Sequence, residues 1–309
     1  MSVKNSKRQV KKIPKRTTLL QKLAYILRPF VLYMLVKTAA MLFLAIAIPA
    51  LPITGIAAWV ERNSYPLSAA VNGAASLAAV SFLLKDFLIE ASTTGEVDID
   101  KGIFGQMIGF VKTDFLGKRK YKTVCLALCV VLGITASLAL NIMVELAAQW
   151  SASAGNRIFG SARYETVETI QYSVPVAAGI VLYGVISPIV EEIVFRGVIY
   201  NRIRKFYSMA AAVGGSALLF GMFHGNLPQF LYGTAMGAMM AVCYTYIGCF
   251  AAPLLVHMSA NLFTFLISGS TEWTTALLTP VWCVAFTVLS AAILWFMIHF
   301  SEVKWNGER

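Results

Sequence analysis

ISPIVEEIVFRG, residues 186–197, decides how the rest of the chain is read. Glu191 and Glu192 stand side by side in an otherwise apolar helical stretch, and Arg196 follows the second by four residues. One ionised side chain at the centre of a membrane helix costs roughly 2.5–3.5 kcal/mol on insertion scales. A chain carrying three such groups must offset that cost or use it. Neighbours on a helix point about 100° apart, so the two glutamates serve different faces. Glu192 and Arg196 are spaced i, i+4 in the order that favours an ion pair. Glu191 is left on another face without a local partner. One glutamate reads as structural and the other as available.

The surroundings justify reading the stretch as membrane helix. Of 309 residues 58% are hydrophobic and only 13% charged, against about a quarter charged in a soluble domain. The mean hydropathy is +0.70. The composition predicts an all-α polytopic bundle, and the net charge of +11 is a topology signal rather than a nucleic-acid one. About eight transmembrane helices fit, over 31–58, 67–84, 123–148, 172–200, 209–226, 229–247, 250–268 and 279–299, each near the ~20 residues that cross a bilayer core. Pro49, Pro52 and Gly55 should bend the outer end of the first.

Charge distribution sets the orientation. With the N-terminus inside, 22 of 26 Lys/Arg fall in cytoplasmic segments, nine of them in the basic tail 1–30. This satisfies the positive-inside rule and places both termini in the cytoplasm. Lys37 reads as a snorkelling residue near the inner end of the first span. Residues 31–150 then hold the N-terminal membrane helices, with an amphipathic interfacial segment near 103–116. Residues 172–268 hold the polar core, and 279–309 the last span and a short tail. The five cysteines lie in or beside apolar segments and read as small buried hydrophobes. The compact basic tail and the lack of organelle signals point to a bacterial plasma membrane.

Glu145 and His299 fall at helix ends and read as interfacial. The remaining intramembrane groups, Glu191, Glu192, Arg196, His224 and His257, lie within 67 residues. A hairpin near 206–208 brings Glu191 and His224 to one level, since they stand 16 and 17 residues from Tyr207. Asn261 shares a helix face with His257. Pro188 and Pro253 each lie about one turn before a polar group, and helix breaks of this kind occur where backbone lines a wet cavity. These positions predict one internal chamber in the inner half of the bilayer.

Three elements, EEIVFR (191–196), FGMFH (220–224) and HMSAN (257–261), in this order on membrane helices, resemble the CPBP family of intramembrane proteases. That family includes the type II CAAX prenyl endopeptidases and the bacterial Abi proteins of bacteriocin self-immunity. The resemblance covers roughly residues 175–268. It implies an eight-helix endopeptidase whose chamber opens toward the cytoplasm, with Glu191 activating water and His224, His257 and Asn261 completing the site.

Two chemistries fit these residues. In the first, Glu191 is a general base in a poorly solvated pocket. His224 holds the water, while His257 and Asn261 donate to the developing oxyanion. In the second, Glu191, His224 and His257 ligate zinc. The absence of an H-E-x-x-H helix favours the first, with no cofactor. The expected partners are the lipid bilayer and a membrane-associated or lipidated peptide or protein, with no nucleic acid. Two other readings explain the same residues. One is a non-proteolytic immunity or binding protein that retains the fold. The other is a proton-coupled transporter, against which the polar groups cluster at one layer instead of forming a relay.

Overall fold

The first helix begins earlier than the hydropathy suggests. In the computed structural model, which describes residues 18–93, 116–153, 166, 169–268 and 276–301, α1 runs Leu19–Ala47. Its start is fixed by a capping box. The Thr18 hydroxyl accepts from the Gln21 backbone N–H, and the Gln21 side chain accepts from that of Thr18. The first span therefore corrects to 19–47. Pro49, Pro52 and Gly55 end the helix instead of bending it. Gly55, at φ +82°, leads into the short α2 (Ile56–Arg62), a conformation that favours glycine.

The bundle continues with α3 (Ser64–Ser81) and α4 (Leu84–Thr93), which are bent 53° from each other. Then come α5 (Leu116–Ser153) and α6 (Val176–Arg204). After these follow α7 (Met209–His224), α8 (Leu227–Ile247), α9 (Ala251–Ser268) and α10 (Pro280–His299). Five of these helices, α1, α5, α6, α8 and α10, are long and apolar enough to cross a bilayer, up to six when the bent α3–α4 pair is counted as one span. Helices α7 and α9 are apolar but shorter. The chain is a multi-pass integral membrane protein built as a helix bundle. The expected interfacial segment near 103–116 and the termini 1–17 and 302–309 lie outside the described residues, apart from Leu116, which opens α5.

Helix α6 is the spine of the bundle. Two π-helical stretches, Ile180–Ile186 and Ile193–Tyr200, flank the six α-helical residues Ser187–Glu192. Such widened turns are concentrated at functional sites. The first has a readable cause. In the i→i+5 register Ser187 N–H donates to Leu182 O, and the next such donor would be the N–H of residue 188 to Tyr183 O. Pro188 has none. Asn261 Nδ2 from α9 donates to Tyr183 O instead, at 3.1 Å.

Helices α7 and α8 pack closely at Gly221. A Cβ on Gly221 would fall 2.1 Å from Thr234 Oγ1 and 2.6 Å from Phe230 O, so only glycine lets the two backbones approach this closely. At the opposite end of α6 an ion cluster ties α1 and α4 to it. Arg202 bonds Asp86 (2.7 Å), Glu90 (3.2 Å) and the Tyr25 carbonyl (2.8 Å). Lys205 pairs with Glu90, which also accepts from Tyr25 Oη at 2.7 Å. Burial pushes the Lys205 ammonium down, but the hydrogen bond and charge of Glu90 more than offset this and hold it above its ordinary value. Asp86 and Glu90 fall in what the sequence suggested was a connecting segment.

Candidate active site

Glu192 makes the ion pair that its spacing from Arg196 predicted. Glu192 is fully buried and accepts from Arg196 at 2.9 Å, while the other arm of the guanidinium donates to Gly237 O at 2.8 Å. Glu192 Oε1 also meets His257 Nδ1 at 2.8 Å. A carboxylate oxygen accepts, so this nitrogen carries a proton and His257 turns Nε2 toward Glu191, 3.7 Å from its Oε2. That gap is too long for a direct hydrogen bond. Glu191 is only 8% exposed, and its other oxygen accepts from Ser187 Oγ one turn earlier.

His224 is held in the same way. Its Nδ1 lies 2.9 Å from Phe220 O, and a carbonyl also only accepts, so Nε2 is again the free nitrogen. The Phe220 ring packs edge-on against both imidazoles, at 5.1 Å from His224 and 5.5 Å from His257. The Arg196 guanidinium lies 4.8 Å from its centroid. One aromatic ring thus spaces the three cationic or polar groups drawn from α6, α7 and α9.

Glu191, His224, His257 and Asn261 all line one chamber of about 460 Å³, within the range that encloses a small ligand. The chamber brings together the four residues that the sequence grouped. Three further features escaped it. Ser187 supports Glu191 from the i−4 position, a spacing that was legible. Glu192 orients His257 from 65 residues away, which no local spacing reveals. Lys37 lines the chamber too. It stands 18 residues into α1, about 27 Å along the axis at ~1.5 Å per residue, and therefore not near the inner end of its helix.

The chamber's direction also departs from expectation. Its lining includes Gln171 and Tyr172 just before α6, His224 at the end of α7, and Pro228 and Gln229 at the start of α8. The turns at 205–208 and 248–250 contribute no lining residue. The chamber thus extends away from the end that bears Arg202, Arg204 and Lys205. If the basic segments are cytoplasmic, it extends toward the opposite face, and not toward the inner half of the bilayer.

The alternative zinc set of Glu191, His224 and His257 was tested on geometry. Among the described residues no three His, Cys, Asp or Glu side chains converge into a metal-binding group. The locked Nδ1 atoms do resemble the support that ligating histidines receive, and Glu191 lies 3.7 Å from His257 Nε2, but the three groups are not placed to share one ion. The five cysteines are free and buried, as anticipated.

The fold and this constellation define a membrane helix bundle with an enclosed glutamate–histidine centre. Residues 173–263, which run from just before α6 into α9, match the family model described as Type II CAAX prenyl endopeptidase Rce1-like. Among curated proteins it is similar to "Putative membrane peptidase YdiL" of Bacillus subtilis (strain 168), 30% identical over 88 residues. That alignment covers 28% of this chain and 36% of the relative, so the chain spans about a third of the relative's length. No solved structure matches.

Proposed function

We propose that the chain is an intramembrane endopeptidase in which Glu191 takes a proton from a water molecule as that water attacks a peptide carbonyl carbon. Glu191 then passes the proton to the departing amine, so the C–N bond breaks and the carboxylate regains its charge. His224 presents its free Nε2 to the same chamber and aligns the water. His257 takes up a proton from solvent at Nε2 before the substrate enters, and as an imidazolium supported by Glu192 it donates to the oxyanion. Asn261 commits one N–H to Tyr183 O and has a second N–H left for the oxyanion. Enclosure strengthens each of these interactions. The substrate class is a peptide segment of a membrane-associated or lipidated protein.

The observation that carries this reading is the division between the glutamates. Glu192 is consumed by Arg196 and His257, while Glu191, held by one hydroxyl, faces the chamber. Two experiments test it. Peptides accumulating in cells that carry Glu191→Gln should include uncut precursors absent from wild type, as read by mass spectrometry. Purified protein should keep its turnover after exhaustive chelation and hold well under one zinc per chain. Stoichiometric zinc, with activity lost on chelation and regained on zinc addition, sinks the glutamate–water chemistry in favour of a metal.

A further inference from the structure

Ser187 departs from the habit of hydroxyls elsewhere in the bundle. A serine or threonine inside a helix ordinarily turns its hydroxyl back to the carbonyl three or four residues earlier. Ser216 on α7, Thr245 on α8, Ser259 on α9 and Thr287 on α10 all do so, donating to the carbonyls of Val213, Ala241, Val256 and Cys283. Ser187 instead donates forward, to Glu191 Oε1. Two features of α6 account for the difference. Ser187–Glu192 keeps the α register between the two π-helical stretches, and in that register residues at i and i+4 stack on one face, so Glu191 stands one turn on from Ser187. The backward acceptor at i−4 is Tyr183 O, and Asn261 Nδ2 already donates to it at 3.1 Å.

We propose that Ser187 is a positioning residue for Glu191, and that Asn261 holds it to this task by occupying the Tyr183 carbonyl. The role rests on the proteolytic reading, since it is defined by the base it serves. A glutamate side chain turns about several bonds, and a base must lie within hydrogen-bond reach of the proton it takes. With Oε1 tied to the Ser187 hydroxyl, the carboxylate is fixed in its plane, and Oε2 is the oxygen turned toward His257 Nε2, 3.7 Å away. Oε2 is therefore the oxygen that receives the proton from water, while Oε1 keeps its bond to the hydroxyl throughout. Ser187 itself touches no reacting atom. Were Asn261 to release Tyr183 O, that carbonyl would become a free acceptor one turn behind Ser187. The hydroxyl could then rotate back to it, in the way Thr245 and Thr287 bond, and Glu191 would lose its tether. The bonds of Asn261 to Tyr183 O and of Ser187 to Glu191 are thus a linked pair that runs from α9 to the base.

The test uses full-length protein in nanodiscs, with a pool of quenched-fluorescent apolar peptides as probe and kinetics measured on the member cut fastest. Ser187→Ala should lower kcat about tenfold and leave KM within about twofold, because the aim of a base matters in the transition state and not in binding. Ser187→Thr keeps the hydroxyl and should hold kcat within about threefold of wild type. In an Asn261→Ala background, adding Ser187→Ala should cost less than about twofold more, as residues acting through one linkage do. A serine that only packs gives the opposite pattern, with threonine no better than alanine and losses that multiply. That pattern, or a kcat for Ser187→Ala within about twofold of wild type or above it, overturns the proposal. Infrared difference spectra, wild type minus Glu191→Gln, read the Glu191 carboxyl band without any turnover. The band should move in Ser187→Ala and in Asn261→Ala and stay in Ser187→Thr. A band unmoved by Ser187→Ala overturns the proposal whatever the rates. If the band moves as expected and wild type cuts no probe faster than Glu191→Gln, the protease reading fails while the linked pair stands.

Discussion

Replacing Arg196 by alanine should harm folding far more than it harms any single step of chemistry. The guanidinium is fully buried. It bonds Glu192 and Gly237 O and covers the Phe220 ring. Its removal leaves a carboxylate with His257 as its one remaining partner, an orphaned carbonyl on α8, and space for most of a large side chain. Breaking a buried pair from one side costs about 3–5 kcal/mol. The pair itself contributes less than that, because Glu192 Oε2 and Arg196 Nε find no hydrogen-bond partner among the described residues. Two responses limit the damage. Glu192 can take up a proton, and His257 can become charged against it. The lower end of the range is therefore expected, about 3 kcal/mol, a large share of the ~5–15 kcal/mol that a protein has in total.

The molecule supplies its own reporter for this test. All five cysteines are buried, so a thiol-reactive fluorogenic maleimide gains signal only on unfolding. With roughly 2–4 °C per kcal/mol for chains of 150–250 residues and less for longer ones, Arg196→Ala should lower the midpoint by about 5–10 °C. Glu191→Gln keeps the acceptor for Ser187 and should move it by no more than about 2 °C. Arg196→Met combined with Glu192→Leu should recover much of the loss, since replacing both charges avoids the uncompensated one. An Arg196→Ala midpoint within 2 °C of wild type, or one above that of Glu191→Gln, would falsify the division of roles between the two glutamates.

Gly221→Ala must drive α7 and α8 apart, because its Cβ meets backbone as well as the Thr234 hydroxyl. It should cost about 1–3 kcal/mol, visible in the same thermal assay, whereas Gly214→Ala, with nothing within 4 Å, should be neutral or better. Asn261→Ala should cost about 1–3 kcal/mol by stranding Tyr183 O, and adding Pro188→Ala should recover part of it by restoring a backbone donor. The direction of the chamber is open to labelling: Gln229→Cys in right-side-out vesicles should react with a membrane-impermeant maleimide, and reaction only in inverted vesicles would reverse the orientation.

What the sequence made legible was local or repetitive. The ion pair of Glu192 with Arg196 is written in an i, i+4 spacing, and the apolar helices in the recurrence of apolar runs, although of the eight spans expected only five, or up to six with the bent pair, are long and apolar enough to cross a bilayer. The hairpin between Arg204 and Met209 could be placed because charge and turn residues coincide there. Lys37 was misplaced for a physical reason. The span was begun where the basic run ends, whereas lysine and arginine side chains tolerate a place inside the first turns of a helix. The Thr18–Gln21 capping box announced the true start. The clamp of Asp86 and Glu90 on Arg202 was beyond reach, because it joins residues more than 100 positions apart, two of them on a helix set off by a 53° bend that no periodicity marks.

The link between Pro188 and Asn261 through the Tyr183 carbonyl shows how the missing information is carried. Each residue was noticed alone, the proline as a helix break and the asparagine as a polar group on the face of His257. Neither reading contained the other. A π-register turn ending at a proline leaves one carbonyl, that of Tyr183, without its backbone donor, and inside a membrane such a group costs several kcal/mol if left alone. The amide on α9 answers that need, and in doing so fixes the sliding position of α9 against α6. His257 lies four residues before Asn261, one turn away, so the same bond sets the height at which His257 reaches Glu192 and Glu191. The helix break and the alignment of the polar centre are thus one device. Asn261 should matter to the site first through position, and its substitution should lower turnover in proportion to the displacement of His257 even where the second amide N–H takes no part in the chemistry.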